Sequence, residues 1–410
     1  MLEVYEPMED SFMLSGQVKK HSKGFVLDVG TGSGIQAIAA SEKAKLVIGV
    51  DISRDAIKLA TENAIKQNVK NICFFESSLF DLFKRIETKK QFKNKHLKNK
   101  KIQNFLEKKI LFDLIIFNPP YLPQDKGIDD KSIYGGKKGY ETLNNFLFQA
   151  SYYLKENGRI LIVFSSLTKK EKVDELLGDY CFEFKQIDEK KLFFETLFVY
   201  LIKKSSLLKT LEKKGLKNIK KFARGNRGLL YKADLKKKKI VIKTKKPESK
   251  ARGRIANEIQ WIRVLNRHNI GPKLLFSGRD YFAYEFVKGD FIIEFIKNNN
   301  KENIIKTIKN IFNQLYIMDS LKVDKEEMHR PLKHIITEKK PVLIDFERCK
   351  ITEKPKNVTQ FCQFLMSKGT EILLKQKCIR LNKDKIINLA KAYKKEQTKE
   401  NLNKIFSILN

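Results

Sequence analysis

The sequence predicts a doubly wound α/β domain followed by an α+β domain, and three observations lead to this fold class. The chain has 410 residues, which is enough for two domains of ordinary size. In the first half, short apolar runs alternate with helical stretches, a pattern typical of a mostly parallel sheet covered by helices. In the second half, several β-like runs come first and helices dominate afterwards, which indicates an α+β arrangement. We expect domains at 1–203 and 219–410, joined by a lysine-rich linker at 204–218.

Apolar runs and the turn residues between them predict the elements of the first domain. We expect strands at 25–29, 46–50, 72–75, 111–117 and 159–164, and helices at 35–43, 56–67 and 141–154. The pair Asn157-Gly158 is expected to end the last of these helices. A basic insertion, 84–110, interrupts the alternation. It has two interpretations, a solvated surface segment or an electrostatic contact with RNA or an acidic protein.

The second domain is expected to begin with a small sheet. The β-like runs lie at 228–232, 239–243, 273–276 and 281–287, and a helix is expected at 251–266. Trp261 lies in that helix among apolar neighbours, so we expect it in the core.

Composition excludes several classes of protein. Apolar residues make up 42% of the chain, which argues against wholesale disorder, and we see neither an apolar run long enough to span a membrane nor a secretory signal. Five scattered cysteines form no CxxC pair, which favours the reducing cytoplasm. The net charge is +35, and lysine supplies most of it. Such a charge reflects either a general lysine bias, which we favour, or an anionic partner such as RNA.

A glycine-rich turn follows the first predicted strand and reads Asp28-Val-Gly30-Thr-Gly32-Ser-Gly34. Glycines at alternate positions let the backbone approach a ligand, and the helix N-terminus behind them favours an anionic group. Asp51 ends the second strand, where a carboxylate can accept both hydrogen bonds of a ribose diol. Together they predict a nucleoside-binding site.

The fourth strand ends in Asn118-Pro119-Pro120-Tyr121. The prolines remove two backbone donors, so we expect the carbonyls of Asn118 and Pro119 to face outward beside the Asn118 side-chain oxygen. Tyr121 offers a stacking face. Acceptors in this arrangement suit a planar –NH2 group, whose two N–H donors are held while its nitrogen faces a third group.

This combination resembles a class I methyltransferase with a Rossmann-like fold that uses S-adenosylmethionine and acts on an amide or exocyclic amino nitrogen. The opening segment 5–11 and the stretch 134–141 narrow the resemblance to HemK-type protein glutamine methyltransferases of the archaeal and eukaryotic branch. That family modifies the GGQ glutamine of class I peptide-release factors in translation termination. The match covers about residues 2–203.

The resemblance also implies roles for individual residues. In the family the NPPY segment holds the glutamine amide, which makes Asn118, Pro119 and Tyr121 the catalytic set, and no metal is needed. The implied cofactor-binding residues are Asp28, Gly30, Gly32, Gly34, Asp51, Glu9 and Asp10. Ser78 stands where the family usually has an acidic residue for the adenine, and Asp81 is an alternative.

The resemblance further implies partners. These are a release factor as substrate, a small zinc-binding activator subunit, and ribosome or RNA contact through the basic insertion. An alternative activity is adenine-N6 methylation of nucleic acid, which shares the NPPY segment and is favoured by the positive charge.

A second constellation lies in the other half of the chain. Arg224-Gly225-Asn226-Arg227-Gly228 resembles a reduced phosphate-covering loop, and Lys243 ends a strand as the phosphate-pairing lysine of protein kinases does. Glu258 lies in the next helix, where it is expected to pair with Lys243. Asp345-Phe346-Glu347 resembles the metal-binding Asp-Phe-Gly segment.

Residues 219–366 therefore resemble a group of archaeal serine/threonine kinases distantly related to Rio-type kinases. The resemblance implies ATP and magnesium bound at Lys243, Glu258 and Asp345. The usual catalytic-loop sequence is absent, so Glu327 or His329 is the expected base. Three interpretations stay open: an active atypical kinase, a silent ATP-binding module, and a degenerate docking domain.

Overall fold

The computed structural model describes residues 5–88, 110–124, 134–224, 228–245 and 254–409. The chain forms two compact units, Met1–Lys221 and Phe222–Asn410. Most of the predicted basic insertion lies outside the described residues, as does the centre of the predicted phosphate-covering loop. No helix in the described ranges has the length and apolar character needed to cross a membrane.

The first unit is built on one seven-stranded sheet with helices between most of the strands. The strands are β1 (Gly24–Val29), β2 (Ala44–Asp51), β3 (Ile72–Glu76), β4 (Phe112–Phe117), β5 (Leu154–Ser165), β6 (Phe182–Lys191) and β7 (Thr196–Lys204). The helices are α1 (Glu9–His21), α2 (Ile35–Ser41), α3 (Arg54–Lys66), α4 (Asp81–Thr88), α5 (Glu141–Tyr153), α6 (Lys170–Asp179) and α7 (Ser206–Lys213).

The order of the strands is β3-β2-β1-β4-β5-β7-β6. Strands β1 to β5 run parallel, whereas β7 pairs antiparallel with both β5 and β6. Strand order reverses between β1 and β4, and ligands of doubly wound sheets bind beside the carboxyl ends of strands at such a reversal. The sheet therefore brings the residues after β1, β2 and β4 to one edge. This arrangement confirms the predicted Rossmann-like fold of the first half.

Helices α1 and α2 cover one face of the sheet through small and branched side chains. Leu14 and Val18 of α1 and Ala37 and Ala40 of α2 are fully buried in one apolar cluster with residues of the central strands. Alanine at the α2 positions leaves room for α1, so both helices pack closely against the same face of the sheet.

Two segments differ from the sequence prediction. The predicted helix stop Asn157-Gly158 lies within β5, because α5 ends at Tyr153 and the strand begins at Leu154. The β4–β5 register shifts there, and a Cβ on Gly158 would stand 2.9 Å from the carbonyl oxygen of Phe112, so glycine permits a close backbone approach. The predicted linker 204–218 instead holds α7, whose Leu208 and Leu211 are buried.

A five-stranded sheet begins just before the boundary at Lys221, and four of its strands belong wholly to the second unit. Its strands are β8 (Lys217–Arg224), β9 (Gly228–Leu235), β10 (Lys238–Lys245), β11 (Leu274–Ser277) and β12 (Tyr281–Glu285), in the order β11-β12-β10-β9-β8. Helix α8 (Arg254–Asn266) follows β10. Trp261 of α8 is buried in the core of this unit, as predicted.

Helices and short strands complete the second unit. The helices are α9 (Ile292–Asn298), α10 (Lys301–Ser320), α11 (Asn357–Met366), α12 (Lys368–Gln376), α13 (Lys383–Lys395) and α14 (Lys399–Phe406). The short strands are β13 (Asp290–Phe291), β14 (Val323–Asp324), β15 (Ile335–Thr337), β16 (Pro341–Leu343) and β17 (Lys350–Ile351).

One buried carboxylate joins several of these helices. Asp319 at the end of α10 accepts hydrogen bonds from Asn357 Nδ2 at 2.8 Å, from the Val358 amide at 3.3 Å, and from the Tyr393 hydroxyl at 3.1 Å. The same Asn357 accepts the backbone N–H of Lys325 at 2.9 Å. Burial raises the pKa of Asp319 to about 6, although its hydrogen bonds oppose the rise.

Candidate active site

The carboxyl edge of the first unit's sheet holds a cavity of about 360 Å³. Its walls come from the start of α1, the glycine turn after β1, the ends of β2, β3 and β4, and α5. The predicted site residues that line it are Gly30, Gly32, Asp51, Ser78 and Asn118. Its size lies within the range of small-molecule sites, and most of its lining is apolar with a few polar groups.

Hydrogen bonds to Asp28 stabilise the glycine turn on the side away from the cavity. The carboxylate of Asp28 is buried, and its Oδ2 accepts hydrogen bonds from the Thr31 hydroxyl at 2.6 Å and the Ala37 amide at 3.1 Å. Burial raises the pKa of Asp28 to about 7, against the effect of these bonds. Asp28 is not among the residues lining the cavity, so it shapes the turn and the start of α2 from beneath.

The glycines of the turn meet different constraints. Gly32 has φ +52° and open space around the position of a Cβ, so this part of the turn stays clear for a ligand. Gly34 has φ +83°, and a Cβ there would lie 3.0 Å from the Cβ of Ala60. Gly34 therefore serves the packing of α2 on α3, and it does not line the cavity.

Asp51 connects the second strand to the turn. Its Oδ2 accepts the Gly32 amide at 3.0 Å and its Oδ1 accepts the Ser53 amide at 3.0 Å. Each carboxylate oxygen has a further lone pair, so Asp51 can still accept two hydroxyl donors. Ser78 and Leu79 line the cavity after β3, whereas Asp81 is not among the lining residues and pairs with Lys84 at 2.8 Å.

Asn118 is oriented by the buried carboxylate of Asp10. The Asn118 Nδ2 donates to Asp10 Oδ2 at 2.9 Å and lies 3.4 Å from the Ser11 hydroxyl. A carboxylate only accepts, so it selects the nitrogen of Asn118 and leaves the amide oxygen for another partner. Asp10 also accepts the Tyr5 hydroxyl at 3.1 Å. Burial, and next Asp10, raise the pKa of Tyr5, so Tyr5 stays a neutral donor.

Sequence reasoning assigned Asp10 and Glu9 to the cofactor. In the structure, Asp10 accepts a hydrogen bond from Asn118 and does not line the cavity. Glu9 does not line it either, and it is exposed on the first turn of α1. The link to Asn118 spans 108 positions in the chain, so local motifs did not reveal it. Tyr5 and Pro7 from the same segment do line the cavity.

The rest of the NPPY segment is clamped by the stretch 134–141. Pro119 is buried, Pro120 lines the cavity, and Tyr121 is half-buried without lining it. The Gly135 amide donates to the carbonyl of Leu122 at 3.0 Å, and a Cβ on Gly135 would lie 2.4 Å from the Pro120 carbonyl oxygen. Glycine is therefore required for this close approach, which fixes the backbone of the segment.

The second unit gathers three charged side chains that the sequence placed far apart. Lys243 Nζ lies 2.7 Å from Glu258 Oε2 and 2.9 Å from Asp345 Oδ1. Burial opposes the charged form of Lys243, but the two carboxylates outweigh it and hold its pKa above the usual value. Carboxylate oxygens of Glu258, Asp345 and Glu347 also lie within 4.8 Å of one another, a spacing suited to a divalent cation.

Asp345 is held by a residue that sequence reasoning missed. Lys325 is 1% exposed, and its Nζ donates to the backbone carbonyl of Asp345 and lies 3.2 Å from His334 Nδ1. Asp345 has φ +64°, which is strained for a residue with a side chain, so its conformation is imposed by its surroundings. In a chain so rich in lysine, nothing local distinguishes Lys325.

The two predicted bases of the second unit have different surroundings. Glu327 Oε1 pairs with Arg348 at 2.8 Å, and Glu327 Oε2 lies 3.5 Å from His334 Nε2. His329 is exposed. Burial, and next Lys325, lower the pKa of His334 to about 4, so His334 is neutral near pH 7.

Known proteins resemble the first half of the chain. The family model of ribosomal protein L11 methyltransferase (PrmA) matches residues 11–92. A putative protein N5-glutamine methyltransferase of Methanocaldococcus jannaschii is 41% identical over 181 residues, which cover 42% of this chain and 79% of that protein. A release factor glutamine methyltransferase of Fusobacterium nucleatum is 34% identical over 121 residues, or 29% of this chain and 27% of that protein.

A solved structure also aligns with part of the chain. It is the E. cuniculi Mtq2-Trm112 complex, described as responsible for methylation of the eRF1 translation termination factor, with 20% identity and a TM-score of 0.35 over 49% of this chain and 98% of that one. The decisive comparison is with the Methanocaldococcus protein, because its identity extends over most of that protein's length. Through its first unit, this chain belongs to the protein N5-glutamine methyltransferase family.

Proposed function

We propose that the first unit transfers a methyl group from S-adenosylmethionine to the side-chain nitrogen of a protein glutamine. The observation that carries this proposal is the bond from Asn118 to the buried Asp10. It turns the amide oxygen of Asn118 away from Asp10 and leaves an acceptor beside the cavity for an N–H of the substrate amide.

The residues around the cavity fit the cofactor. Asp51 keeps two acceptor positions for the ribose hydroxyls, and the turn at Gly30 and Gly32 gives close backbone access. Ser78 and Leu79 would border the adenine without an acidic partner from Asp81. S-adenosylmethionine supplies an electrophilic methyl group on its sulfonium sulfur.

The chain's own contribution to catalysis is orientation and electrostatics. An amide nitrogen is a weak nucleophile because its lone pair is delocalised into the carbonyl. Acceptors at Asn118 and the Pro119 carbonyl would hold the two N–H groups and stabilise positive charge that develops on the nitrogen during transfer. Tyr121 would border the amide as it enters. No side-chain nucleophile is needed.

The proposed substrate is the GGQ glutamine of a class I peptide-release factor, with a small Trm112-type subunit as an activator. The name of the Fusobacterium protein supports the release factor, and the description of the E. cuniculi complex names both a termination factor and a Trm112 subunit. Contact with RNA or the ribosome through the basic insertion remains part of this proposal. The competing substrate is an adenine amino group in nucleic acid.

The test compares Asn118→Ala with the wild-type chain on a release factor, and on RNA and DNA in parallel. We expect wild type to methylate the release factor and Asn118→Ala to lose at least about a thousandfold in kcat, because orientation of the acceptor amide is lost. Binding of S-adenosylmethionine should change less than about twofold in Asn118→Ala.

Asp51→Ala serves as the matched variant, since it should weaken cofactor binding instead. Undiminished activity in Asn118→Ala would overturn the proposed mechanism. Transfer to an adenine in place of the glutamine would overturn the proposed substrate.

For the second unit, we propose a kinase-like nucleotide site. The ion pair between Lys243 and Glu258, with Asp345 beside it, supports this proposal. Lys243 would contact phosphate oxygens, and Asp345 would hold magnesium, together with a carboxylate of the same cluster. We prefer Glu327 to His329 as the base, because the Glu327 carboxylate lies 3.5 Å from His334 Nε2, whereas His329 is exposed.

Magnesium-dependent ATP binding by the full chain tests this second proposal. We expect binding that disappears in Asp345→Asn and in Lys243→Met, and the absence of binding to wild type would overturn it. Autophosphorylation of wild type would then distinguish an active kinase from a silent ATP-binding module.

A further inference from the structure

The turn between β6 and β7 presents two aromatic side chains to solvent. Phe193 is 93% exposed and Phe194 is 86% exposed, and their ring centroids lie 4.6 Å apart at an interplanar angle of 79°. A single exposed apolar residue is ordinary, but two adjacent phenylalanines in edge contact form a preformed apolar face. Such a face at the tip of a hairpin indicates contact with another molecule.

Topology brings this turn to the edge of the sheet that holds the cavity. Strand β7 runs antiparallel to β5, with Leu197 opposite Ser165, so the start of β7 lies beside the carboxyl end of β5. Strand β5 is the parallel neighbour of β4, which ends at the NPPY segment. The turn therefore lies on the same side of the sheet as Asn118.

Hydrogen bonds connect the turn to the NPPY segment in two steps. The Thr196 amide donates to the Ser166 hydroxyl at 3.0 Å. Ser166 begins a short 3-10 helix, Ser166–Thr168. At the end of this helix, the Thr168 hydroxyl donates to the Tyr121 carbonyl at 3.0 Å. Leu167, between them, is 46% exposed, so apolar surface continues from the turn toward the NPPY segment.

Glu195 lies directly after the two rings and connects the turn to the surroundings of the cavity. Its Oε2 is buried, and no residue in the described part of the chain donates a hydrogen bond to it. Burial is the main cause of the raised pKa of Tyr121, and the carboxylates of Asp10 and Glu195 raise it further, which places Glu195 within electrostatic reach of the cavity's mouth. Glu195 also acts electrostatically on Tyr5, which lines the cavity, so the turn lies close to the opening of the cavity.

We propose that Phe193 and Phe194 dock the polypeptide segment that presents the substrate glutamine. This inference rests on the proposed function of the first unit. A glutamine side chain that reaches the Asn118 oxygen brings its own backbone and neighbours to the mouth of the cavity, and the Phe193–Phe194 face lies on the adjoining surface.

A polypeptide fits this surface better than the other occupants. The proposed methyl acceptor is a glutamine side chain at Asn118, so the chain that carries it passes the opening of the cavity, and apolar side chains of that chain can pack on the two rings. The two rings supply apolar contact area with little rotamer entropy to lose, as aromatic anchors of protein interfaces do.

The experiment measures steady-state methylation of the release factor by the full chain and by a Phe193→Ser/Phe194→Ser variant. We expect the KM for the release factor to rise at least about tenfold, because two interface anchors are removed. The kcat and the KM for S-adenosylmethionine should stay within about twofold, since neither ring lines the cavity. The matched control is Ile65→Ser, which removes a 68% exposed apolar side chain at the far end of α3 and should change neither KM.

The outcomes separate the two proposals. If wild type binds S-adenosylmethionine but transfers nothing to the release factor, the proposed function fails and the docking inference fails with it. If wild type is active and the double variant keeps the wild-type KM, the docking inference alone is overturned. It is also overturned if the variant loses only transfer to an oligonucleotide, or only the ability to self-associate.

Discussion

The candidate sites of the two units consist of different kinds of residue. In the first unit, glycines and uncharged side chains make up most of the cavity lining, and the carboxylate in that lining, Asp51, accepts two backbone amides. In the second unit, Lys243 pairs with two carboxylates, Glu258 and Asp345, so the three side chains keep a net negative charge. Substitutions at the first site should therefore cost less folding free energy than removal of the single cation that the two carboxylates of the second site share.

Removal of Lys243 should give the largest difference in stability between variants of the two sites. Lys243→Met leaves the 2% exposed Glu258 without its cation, and such a loss costs about 3–5 kcal/mol of unfolding free energy. Trp261 is the only tryptophan of the chain and is buried in this unit, so its fluorescence in urea reports the change. Asn118→Ala in the first unit should cost less, about 1–2 kcal/mol, because the Tyr5 hydroxyl and the Ser11 amide still donate to the Asp10 carboxylate. Equal losses would remove the distinction between the two sites.

Substitution of Asp10 should give the next largest effect, a loss in kcat of the first unit. Asp10→Ala frees the Asn118 amide to rotate, so we expect kcat for glutamine methylation to fall about 100-fold while the affinity for S-adenosylmethionine is kept. Asp10→Asn retains an acceptor for Asn118 Nδ2 and should lose only about tenfold. Calorimetric titration with the cofactor and steady-state rates separate the two parameters. A parallel loss of cofactor affinity would return Asp10 to the cofactor-binding role that the sequence predicted.

The smallest expected effect concerns pH in the second unit. The folded-state pKa of His334, about 4, lies below its unfolded value, so the unfolded chain binds the extra proton between roughly pH 6.5 and 4. Stability is therefore complete above pH 6.5 and falls by about 2 kcal/mol by pH 5. Asp319, whose pKa is raised to about 6, acts in the opposite direction in the same range.

A comparison with His334→Gln isolates the histidine, because Asp319 is unchanged in that variant. Urea unfolding followed by Trp261 fluorescence at pH 7 and pH 5 should show wild type losing about 2 kcal/mol more than the variant between these values. The same pH dependence in both proteins would mean that His334 does not titrate with folding.

The sequence was most informative where the site depends on local backbone. The strands before Gly30, Asp51 and Asn118 could be read from apolar runs, and the sheet then brings their ends together by its parallel order. The roles of Asp28 and Gly34 could not be predicted from the motif alone. Asp28 shapes the turn and Gly34 allows close packing, yet both lie in the same motif as the glycines that line the cavity.

Partners distant in the chain could not be read in this way. Asp10 and Asn118 are 108 positions apart, and Lys243 and Asp345 are 102 apart. The second pair was expected only through a family resemblance. Lys325 and the Phe193–Phe194 face could not be predicted from the sequence. Lys325 is distinguished only by its burial, and the two phenylalanines only by their exposure. The segment 204–218 was misjudged because its many lysines concealed the buried Leu208 and Leu211.

The hydrogen bonds around Asp319 have a consequence for how the second unit can be divided. Tyr393, which donates to Asp319, belongs to α13, and Leu402 and Ile405 of α14 are fully buried in the same core. A protease cut or deletion that removed these helices would strip a buried carboxylate of a donor and open the core beneath it. We therefore expect α13 and α14 to unfold together with the Asp345 region as one cooperative unit.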